Sequence, residues 1–146
     1  MKIEIILCEQ VDEGLKNYIN VFDKIDVNTE KSFIDFTVVC NIDFEGCTDK
    51  TMIFHLFLFK VSNGVKKGLY LSEIQYEKDD ITSKEDRFKI DFKNIPLDGL
   101  GDYTVEVVRN DSMHDKDGTD GPQIYREGDT VGQKTFSVNL KNEYRT

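Results

Sequence analysis

Apolar and polar residues alternate with a period of two along much of this chain. In residues 33–44 the apolar side chains occupy every second position from Ile34 to Phe44. Successive side chains of a β-strand point to opposite faces of the sheet, so strict alternation indicates a strand with one buried face and one solvated face. The same pattern occurs in residues 87–93, 103–109 and 135–141.

Weaker runs complete a set of eight predicted strands, at residues 2–9, 17–27, 51–61 and 68–77. The clearest turn between them is Asn63-Gly64, because both residues tolerate a positive φ. Residues 79–87 contain too few apolar side chains to dock a helix, so we predict a solvated loop there with at most one helical turn. In the last strand we expect Phe136, Val138 and Leu140 to face the core.

Many short strands without a helical period between them are typical of a β-sandwich or barrel. The length of 146 residues suits one domain that buries roughly two thirds of the surface of its unfolded chain. We therefore predict a single all-β domain over residues 1–146. It is an antiparallel sandwich of about eight strands, with a long acidic loop at residues 110–130 before the last strand.

Four segments of the chain share their pattern with a known family. They are the opening strand at residues 1–11, the segment 19–27 around Phe22-Asp23, the strand 33–46, and residues 96–107 with Gly101 and Tyr103. Together they resemble a family of small bacterial proteins of unknown function that have an immunoglobulin-like fold, although the family's usual glycine is missing from the second segment. The resemblance implies an immunoglobulin-like sandwich and carries no activity or functional residue.

The sequence Gly101-Asp102-Tyr103 leads into an alternating strand and is typical of a tyrosine corner. In Greek-key sandwiches the ring of such a tyrosine fills the edge of the core, and its hydroxyl bonds back to nearby backbone. The alternative is a buried tyrosine at the start of a strand, without that hydrogen bond.

The composition indicates a globular protein and limits its partners. Hydrophobic residues make up 38% of the chain, too many for a disordered protein. The net charge of −9 at pH 7 argues against nucleic acid and anionic membranes, because both attract clustered Lys and Arg. No apolar run approaches the ~20 residues of a membrane span, and the N-terminus lacks the apolar core of a secretory signal. We therefore expect a cytoplasmic location.

The cysteines indicate neither a disulfide framework nor a zinc site. Cys8 and Cys40 lie in predicted strands, Cys47 lies in a predicted turn, and the only histidines are His55 and His114. None of their spacings is typical of zinc ligands. The sequence also contains no phosphate-binding loop and no nucleophile elbow. We expect no cofactor and no enzymatic activity.

The acidic segment 110–130 is the part of the chain that a sandwich explains least, because it is longer than the ~12–15 residues of ordinary loops. Asp115, Asp117 and Asp120 offer carboxylates of the kind that bind Ca²⁺. The fit to an EF-hand fails, since Asp120 and Arg126 occupy the positions of its essential Gly and Glu. The alternative interpretation is a polar, mobile loop rich in turn formers.

The run at residues 51–61 is apolar on both faces. Ile53, Phe57 and Phe59 lie on the face that points away from the core, together with His55. Large exposed apolar patches usually mark interfaces, so either the chain itself covers this face or a partner or second copy does. We interpret His55 as a packed side chain rather than a ligand or a base.

These patterns favour a non-enzymatic interaction module that contacts a protein partner or a second copy of itself. The predicted contact residues are Ile53, His55, Phe57 and Phe59 in the strand and Ile124 and Tyr125 in the acidic loop. One alternative is a Ca²⁺-binding or metal-dependent protein that uses carboxylates of residues 111–129. Another is an acidic inhibitor that mimics nucleic acid.

Overall fold

Nine β-strands make up most of the described chain. The structure is a computed structural model that describes residues 1–46, 51–110 and 130–141. The strands are β1 (Lys2–Val11), β2 (Tyr18–Val21), β3 (Lys24–Val27), β4 (Phe33–Asp43), β5 (Met52–Ser62), β6 (Val65–Tyr76), β7 (Glu85–Pro96), β8 (Gly101–Arg109) and β9 (Thr130–Leu140). A 3₁₀ turn, Lys78–Asp80, lies between β6 and β7. Within these residues no helix is long and apolar enough to cross a membrane.

The strands form two sheets that pack against each other around a common core. One sheet has the strand order β2-β1-β4-β7, and the other has the order β3-β9-β8-β5-β6. Neighbouring strands of the described residues are antiparallel, except that β3 runs parallel to β9. The predicted all-β fold is confirmed as a two-sheet sandwich, with nine described strands instead of about eight.

The additional strand arises because the run predicted at residues 17–27 divides between the two sheets. Its first part, β2, pairs with β1, whereas β3 pairs with β9 in the other sheet. Asn20 at the end of β2 has a φ of 52°, a left-handed conformation that asparagine tolerates better than most residues. The ring of Phe22 then packs edge-on against Phe36 of β4, at 6.5 Å between centroids, and Phe136 of β9, at 5.8 Å. The chain therefore crosses between the sheets at a ring that contacts both.

The period-two pattern correctly predicts which side chains fill the space between the sheets. Every second residue of β4 from Ile34 to Ile42 is buried in the main core, and so is Phe44. The facing sheet contributes Tyr103, Val105, Val107, Phe136 and Val138. Full burial of an apolar side chain of this size stabilises the fold by about 1.5–3 kcal/mol. This core is therefore the principal source of stability.

Two expectations about β9 are wrong. Leu140, expected to face the core, is 45% exposed, because β8 pairs with β9 only as far as Val138 and no longer lies beside the strand end. The strand also begins at Thr130 rather than at residue 135. Its backbone pairing with β8 continues through residues whose side chains do not alternate, so hydrophobic periodicity does not reveal this part of the strand.

A smaller apolar cluster lies on the outer face of the four-stranded sheet. Cys8, Val11 and Val39 are buried there, and Leu15 and Tyr18 pack against them. The outer face of this sheet is therefore not uniformly solvated, and part of it is covered by the loop that connects β1 to β2.

Hydrogen bonds hold that loop in place. The Asp12 carboxylate accepts the backbone N–H groups of Lys16, at 2.8 Å, and Asn17, at 3.1 Å. These bonds hold the pKa of the Asp12 carboxyl below its usual value. Arg87 of β7 donates to the Leu15 carbonyl at 3.1 Å. These bonds therefore connect residues within the loop and also connect the loop to β7, the opposite edge strand of the sheet.

Tyr103 makes the hydrogen bond expected of a tyrosine corner. Its hydroxyl donates to the carbonyl oxygen of Gly99 at 2.7 Å. Its ring is 2% exposed and stacks on Phe136 at 5.6 Å between centroids. Gly99 has a φ of 78°, a conformation that glycine adopts without steric cost. Burial raises the pKa of the Tyr103 hydroxyl above its usual value.

Replacing Tyr103 with Phe should lower the free energy of unfolding by about 0.5–1.5 kcal/mol. The ring and its packing remain, but the Gly99 carbonyl loses its partner. Urea denaturation followed by near-ultraviolet circular dichroism measures the change. Tyr18→Phe is the control, because no hydrogen bond of the Tyr18 hydroxyl is found in the described part of the chain, and it should stay within about 0.5 kcal/mol. Equal losses in both variants would show that the hydrogen bond is not the cause.

Candidate functional site

The four contact residues predicted in β5 are buried within the single chain. Ile53 and Phe57 are each 1% exposed, Phe59 is 7% exposed, and His55 has no exposed surface. The chain itself therefore covers these side chains of β5. These side chains offer no open apolar patch in the folded chain. Their role in a partner contact stays a prediction, but exposed apolar area does not support it.

His55 is packed among polar groups. Its Nδ1 lies 3.2 Å from the Tyr70 hydroxyl and 3.9 Å from the Glu73 carboxylate, and its Nε2 lies 3.4 Å from the carbonyl oxygen of Asn110. Buried polar atoms are normally hydrogen-bonded, and both ring nitrogens of His55 satisfy that requirement. The geometry is that of a packed histidine, as interpreted from the sequence.

Glu106 is a second buried polar group on the same face. It is 4% exposed, its carboxylate lies 2.9 Å from Lys66 Nζ, and it accepts a hydrogen bond from the Thr130 hydroxyl at 3.3 Å. The Lys66 ammonium also lies 4.3 Å from the centroid of the Phe59 ring. A buried carboxylate is costly unless it is paired and hydrogen-bonded. These contacts therefore have a structural role on the covered face of the sheet.

Several predicted functional residues lie outside the described residues, and their roles stay predictions. They are the Ca²⁺ candidates Asp115, Asp117 and Asp120, the contact candidates Ile124 and Tyr125, and the turn cysteine Cys47. In the ranges that the structure describes, no group of three or more His, Cys, Asp or Glu side chains is arranged to hold a metal ion.

Cys8 and Cys40 are buried thiols. Neither has exposed surface, and burial raises the pKa of Cys40 to about 12 and that of Cys8 above its usual value. The thiolate is the reactive form of cysteine, so burial suppresses the reactivity of both thiols at neutral pH. Cys40 packs in the main core and Cys8 in the outer cluster, where each acts as a small apolar side chain.

A cleft of about 550 Å³ opens beside β3, between that edge strand and β1, β2 and the start of β4 in the other sheet. We call it the β3 cleft. Its apolar lining comes from Phe22, Ile25, Val27, Phe33 and Ile34. The volume lies within the ~300–1,000 Å³ that is typical of ligand sites. The cleft therefore combines a suitable size with apolar surface.

A larger groove of about 1030 Å³ is less suitable as a binding site. It is lined by residues of β1, β4, β7 and β9. Its charged lining residues are Lys2, Arg87 and Lys134 against Glu4, Asp43, Glu85 and Asp86. In this groove the exposed lining is more polar than apolar, whereas apolar lining predominates in the β3 cleft. Burial of apolar surface is the main driving force for association. We therefore take the β3 cleft as the candidate functional site.

The backbone of β3 presents an open edge to this cleft. The carbonyls of Asp23 and Val27 accept the N–H groups of Ser137 and Lys141 of the neighbouring chain segment, at 2.9 and 2.8 Å. Alternate residues of a strand direct their N–H and C=O groups to opposite edges. The backbone groups of Lys24 and Asp26 therefore point away from β9. β3 ends its sheet, so these groups point toward the cleft.

Phe33 forms an exposed aromatic wall of the cleft. It begins β4 and is 69% exposed, the highest value among the exposed large apolar side chains of the described residues. It also lines a second cleft of about 430 Å³ together with Leu97 and Gly99. Phe33 is thus accessible from two sides, which is unusual for an aromatic ring that serves only packing.

The charges around the β3 cleft are mixed, with a small excess of negative charge. The lining contains the carboxylates Glu9, Asp26 and Asp35 and the ammonium groups Lys24 and Lys141, a net charge of −1. Glu9 accepts a hydrogen bond from the Asn20 amide, and Asp35 accepts one from the Asn94 N–H at 2.7 Å. No such bond or ion pair of Asp26 occurs among the described residues, so its carboxylate stays accessible to a ligand.

Comparison with known proteins identifies no relative. No protein-family model, curated protein or solved structure matches this chain. The resemblance to the small bacterial family is supported only by the all-β, two-sheet architecture. The functional argument therefore depends on the side chains and backbone groups described above.

Sequence reasoning missed the β3 cleft, although two signals in the sequence point to it. Phe33 lies out of phase with the apolar positions of its strand, because the buried series begins at Ile34. An aromatic residue on the polar face of a half-buried strand is unexplained by packing. The second signal is Asn20, a residue that favours left-handed turns, within the run that was predicted as one strand. Together they indicate a break in the sheet beside an exposed ring.

The buried Cys40 thiol should make stability fall more steeply with pH above pH 9. The unfolded thiol loses its proton near its usual pKa of 9.0, whereas the folded thiol holds its proton to about 12. Between these values the unfolded state binds fewer protons, so the free energy of unfolding declines as pH rises. Urea titrations between pH 8 and 10.5 should show a slope that is reduced in Cys40→Ala by up to about 1.4 kcal/mol per pH unit. An unchanged slope would contradict the raised pKa.

Proposed function

We propose that this chain is a non-enzymatic interaction module with an immunoglobulin-like sandwich fold, which binds a protein partner at the β3 cleft. The observation that carries the proposal is Phe33, a ring that is 69% exposed beside an apolar cleft. The β5 face predicted from the sequence is covered, so the proposed contact surface lies at the other end of the five-stranded sheet, beside β3.

The chemistry of Phe33 supports a protein contact. Aromatic side chains are enriched at the energetic centres of interfaces, where they fill pockets and exclude water. Burial of a phenylalanine ring contributes about 1.5–3 kcal/mol, and the clefts on both sides of Phe33 leave room for a partner to surround it. Without a partner, the exposed Phe33 ring contributes no burial energy to the stability of the chain.

The charge of the chain supports a neutral or basic protein as the partner. The net charge is −9, and the cleft itself carries an excess of one carboxylate. These charges repel nucleic acid and anionic membranes, and they raise the association rate of cationic partners.

The experiment compares Phe33→Ser with Val61→Ser. Val61 is 63% exposed and lies on β5, three strands from β3 in the sheet order, so it is a matched control. Proteins retained by the tagged wild-type chain from extracts of the producing cells are measured by quantitative mass spectrometry. Retention of the partner should fall at least about tenfold for Phe33→Ser, because loss of an aromatic anchor costs about 2 kcal/mol or more.

Val61→Ser should retain the same partner as the wild-type chain. Both variants change exposed residues, so their stability should stay within about 0.5 kcal/mol of wild type, as checked by urea denaturation. Equal retention by wild type and Phe33→Ser would show that Phe33 is not the contact. The absence of any protein retained specifically by the wild-type chain would refute the interaction module itself.

A further inference from the structure

We propose that an extended, net-positive peptide segment of the partner binds in the β3 cleft as an additional antiparallel strand beside β3. This inference rests on the proposed function and specifies the way in which the cleft is filled. Three observations support it: the open backbone edge of β3, the apolar lining of the cleft, and the charge around it.

The first observation concerns backbone hydrogen bonds. The N–H and C=O groups of Lys24 and Asp26 point away from β9, into the β3 cleft. These groups lie along an edge strand of four residues, and an extended peptide matches their spacing at about 4.8 Å from β3. Peptides that add a strand to an open sheet edge use such groups for affinity and adjacent pockets for specificity.

The second observation concerns the direction of side chains in β3 and in the added strand. In β3 the side chains of Ile25 and Val27 face inward and are at least partly buried, whereas those of Lys24 and Asp26 are exposed. Side chains of an added strand follow the same alternation. Every second residue of the bound peptide therefore faces the apolar lining, which extends to Phe33. This requires apolar residues at alternate positions.

The third observation concerns charge and strand direction. In an antiparallel pair the hydrogen-bonded residues lie directly opposite each other and share a face. The residues opposite Lys24 and Asp26 are therefore the solvent-facing residues of the peptide. A basic residue opposite Asp26 forms a favourable cross-strand pair. The cleft's net charge of −1 and the chain's net charge of −9 also favour a positive segment.

A second copy of this chain fits the edge less well. Two copies that each carry a charge of −9 repel each other. Pairing through four-residue strands also leaves a small interface compared with the ~800 Å² per partner of stable complexes. A peptide segment avoids both difficulties, because it enters the cleft without bringing a second acidic sandwich.

The test uses a short synthetic peptide in which valines alternate with lysine and threonine residues, titrated into the ¹⁵N-labelled chain at 150 mM salt. Chemical-shift changes should centre on residues 24–28 and on Phe33. Methylation of the lysine and threonine amides should weaken binding at least about tenfold, because these amides face β3 in the proposed register. Methylation of the valine amides is the matched control and should have little effect. A peptide with glutamate in place of lysine should bind more weakly.

A pair of protein variants tests the same edge from the other side. Asp26→Pro removes an N–H that points away from β9, and proline is tolerated at that position of an edge strand. It should abolish peptide binding, whereas Asp26→Asn keeps the N–H and should lose only about two- to fivefold, the value of one cross-strand charge pair. Circular dichroism and urea denaturation establish that the variants fold. Should Asp26→Pro fail to fold, the methylated peptides carry the test.

The outcomes separate this inference from the proposed function. Equal binding of both methylated peptides, or shift changes away from the β3 cleft, would overturn strand addition. A dimer of the chain alone in sedimentation that Asp26→Pro dissociates would also overturn it, because the occupant would then be a second copy. If partner retention depends on Phe33 but not on the Asp26 backbone, the interaction module stands and strand addition fails.

Discussion

The packing of Phe22 between the two sheets determines the geometry at one end of this molecule. Its ring contacts Phe36 of one sheet and Phe136 of the other, and only Phe22 and Asp23 separate β2 from β3. So short a crossing brings β3 to the edge of the second sheet, where it pairs with β9. The first sheet does not continue beside β3, and the space that remains between the sheets is the β3 cleft.

Two of the four edge strands, β7 and β3, differ in how they avoid unwanted pairing. β7 ends the four-stranded sheet with twelve residues, and it carries alternating charges, a positive φ at Asn94 and a terminal Pro96. Charges, irregular backbone and proline all discourage edge-to-edge pairing. β3 is instead short and set back in a cleft. In the proposed binding mode, such an edge admits a single extended segment but not the sheet of another protein.

Much of the fold follows from local alternation, as β4 shows. Its inward and outward residues are correctly assigned because burial of one face acts on every second side chain. The division of residues 17–27 into β2 and β3 depends on where two distant strands leave space, and the end of β9 at Leu140 depends on where β8 stops. Neither can be derived from the strand's own residues. The cover over β5 is equally non-local, since an apolar outer face at Phe57 demands cover without specifying which part of the chain supplies it.

The candidate site was less predictable for a related reason. A binding site made from backbone edges leaves almost no mark on the sequence, since any residue supplies an N–H and a C=O. Lys24 and Asp26 are ordinary residue types for an exposed strand, and their proposed role depends on β9 occupying only one side of β3. Phe33 is different, because an aromatic side chain on the polar face of a strand contradicts the pattern around it. A residue that contradicts the pattern of its own strand is therefore a sequence signal that can locate a surface site.

The backbone edge and the exposed ring are individually too weak to form a specific complex. Four hydrogen bonds along β3 contribute in total about 2–6 kcal/mol, whereas association costs about 4–15 kcal/mol in lost freedom of motion. Burial of Phe33 adds about 1.5–3 kcal/mol. Binding therefore requires the hydrogen bonds and the apolar contacts together. In the proposed complex a ligand must present an extended backbone and an apolar side chain at once, and this double requirement would make the β3 cleft selective for peptides over small apolar molecules.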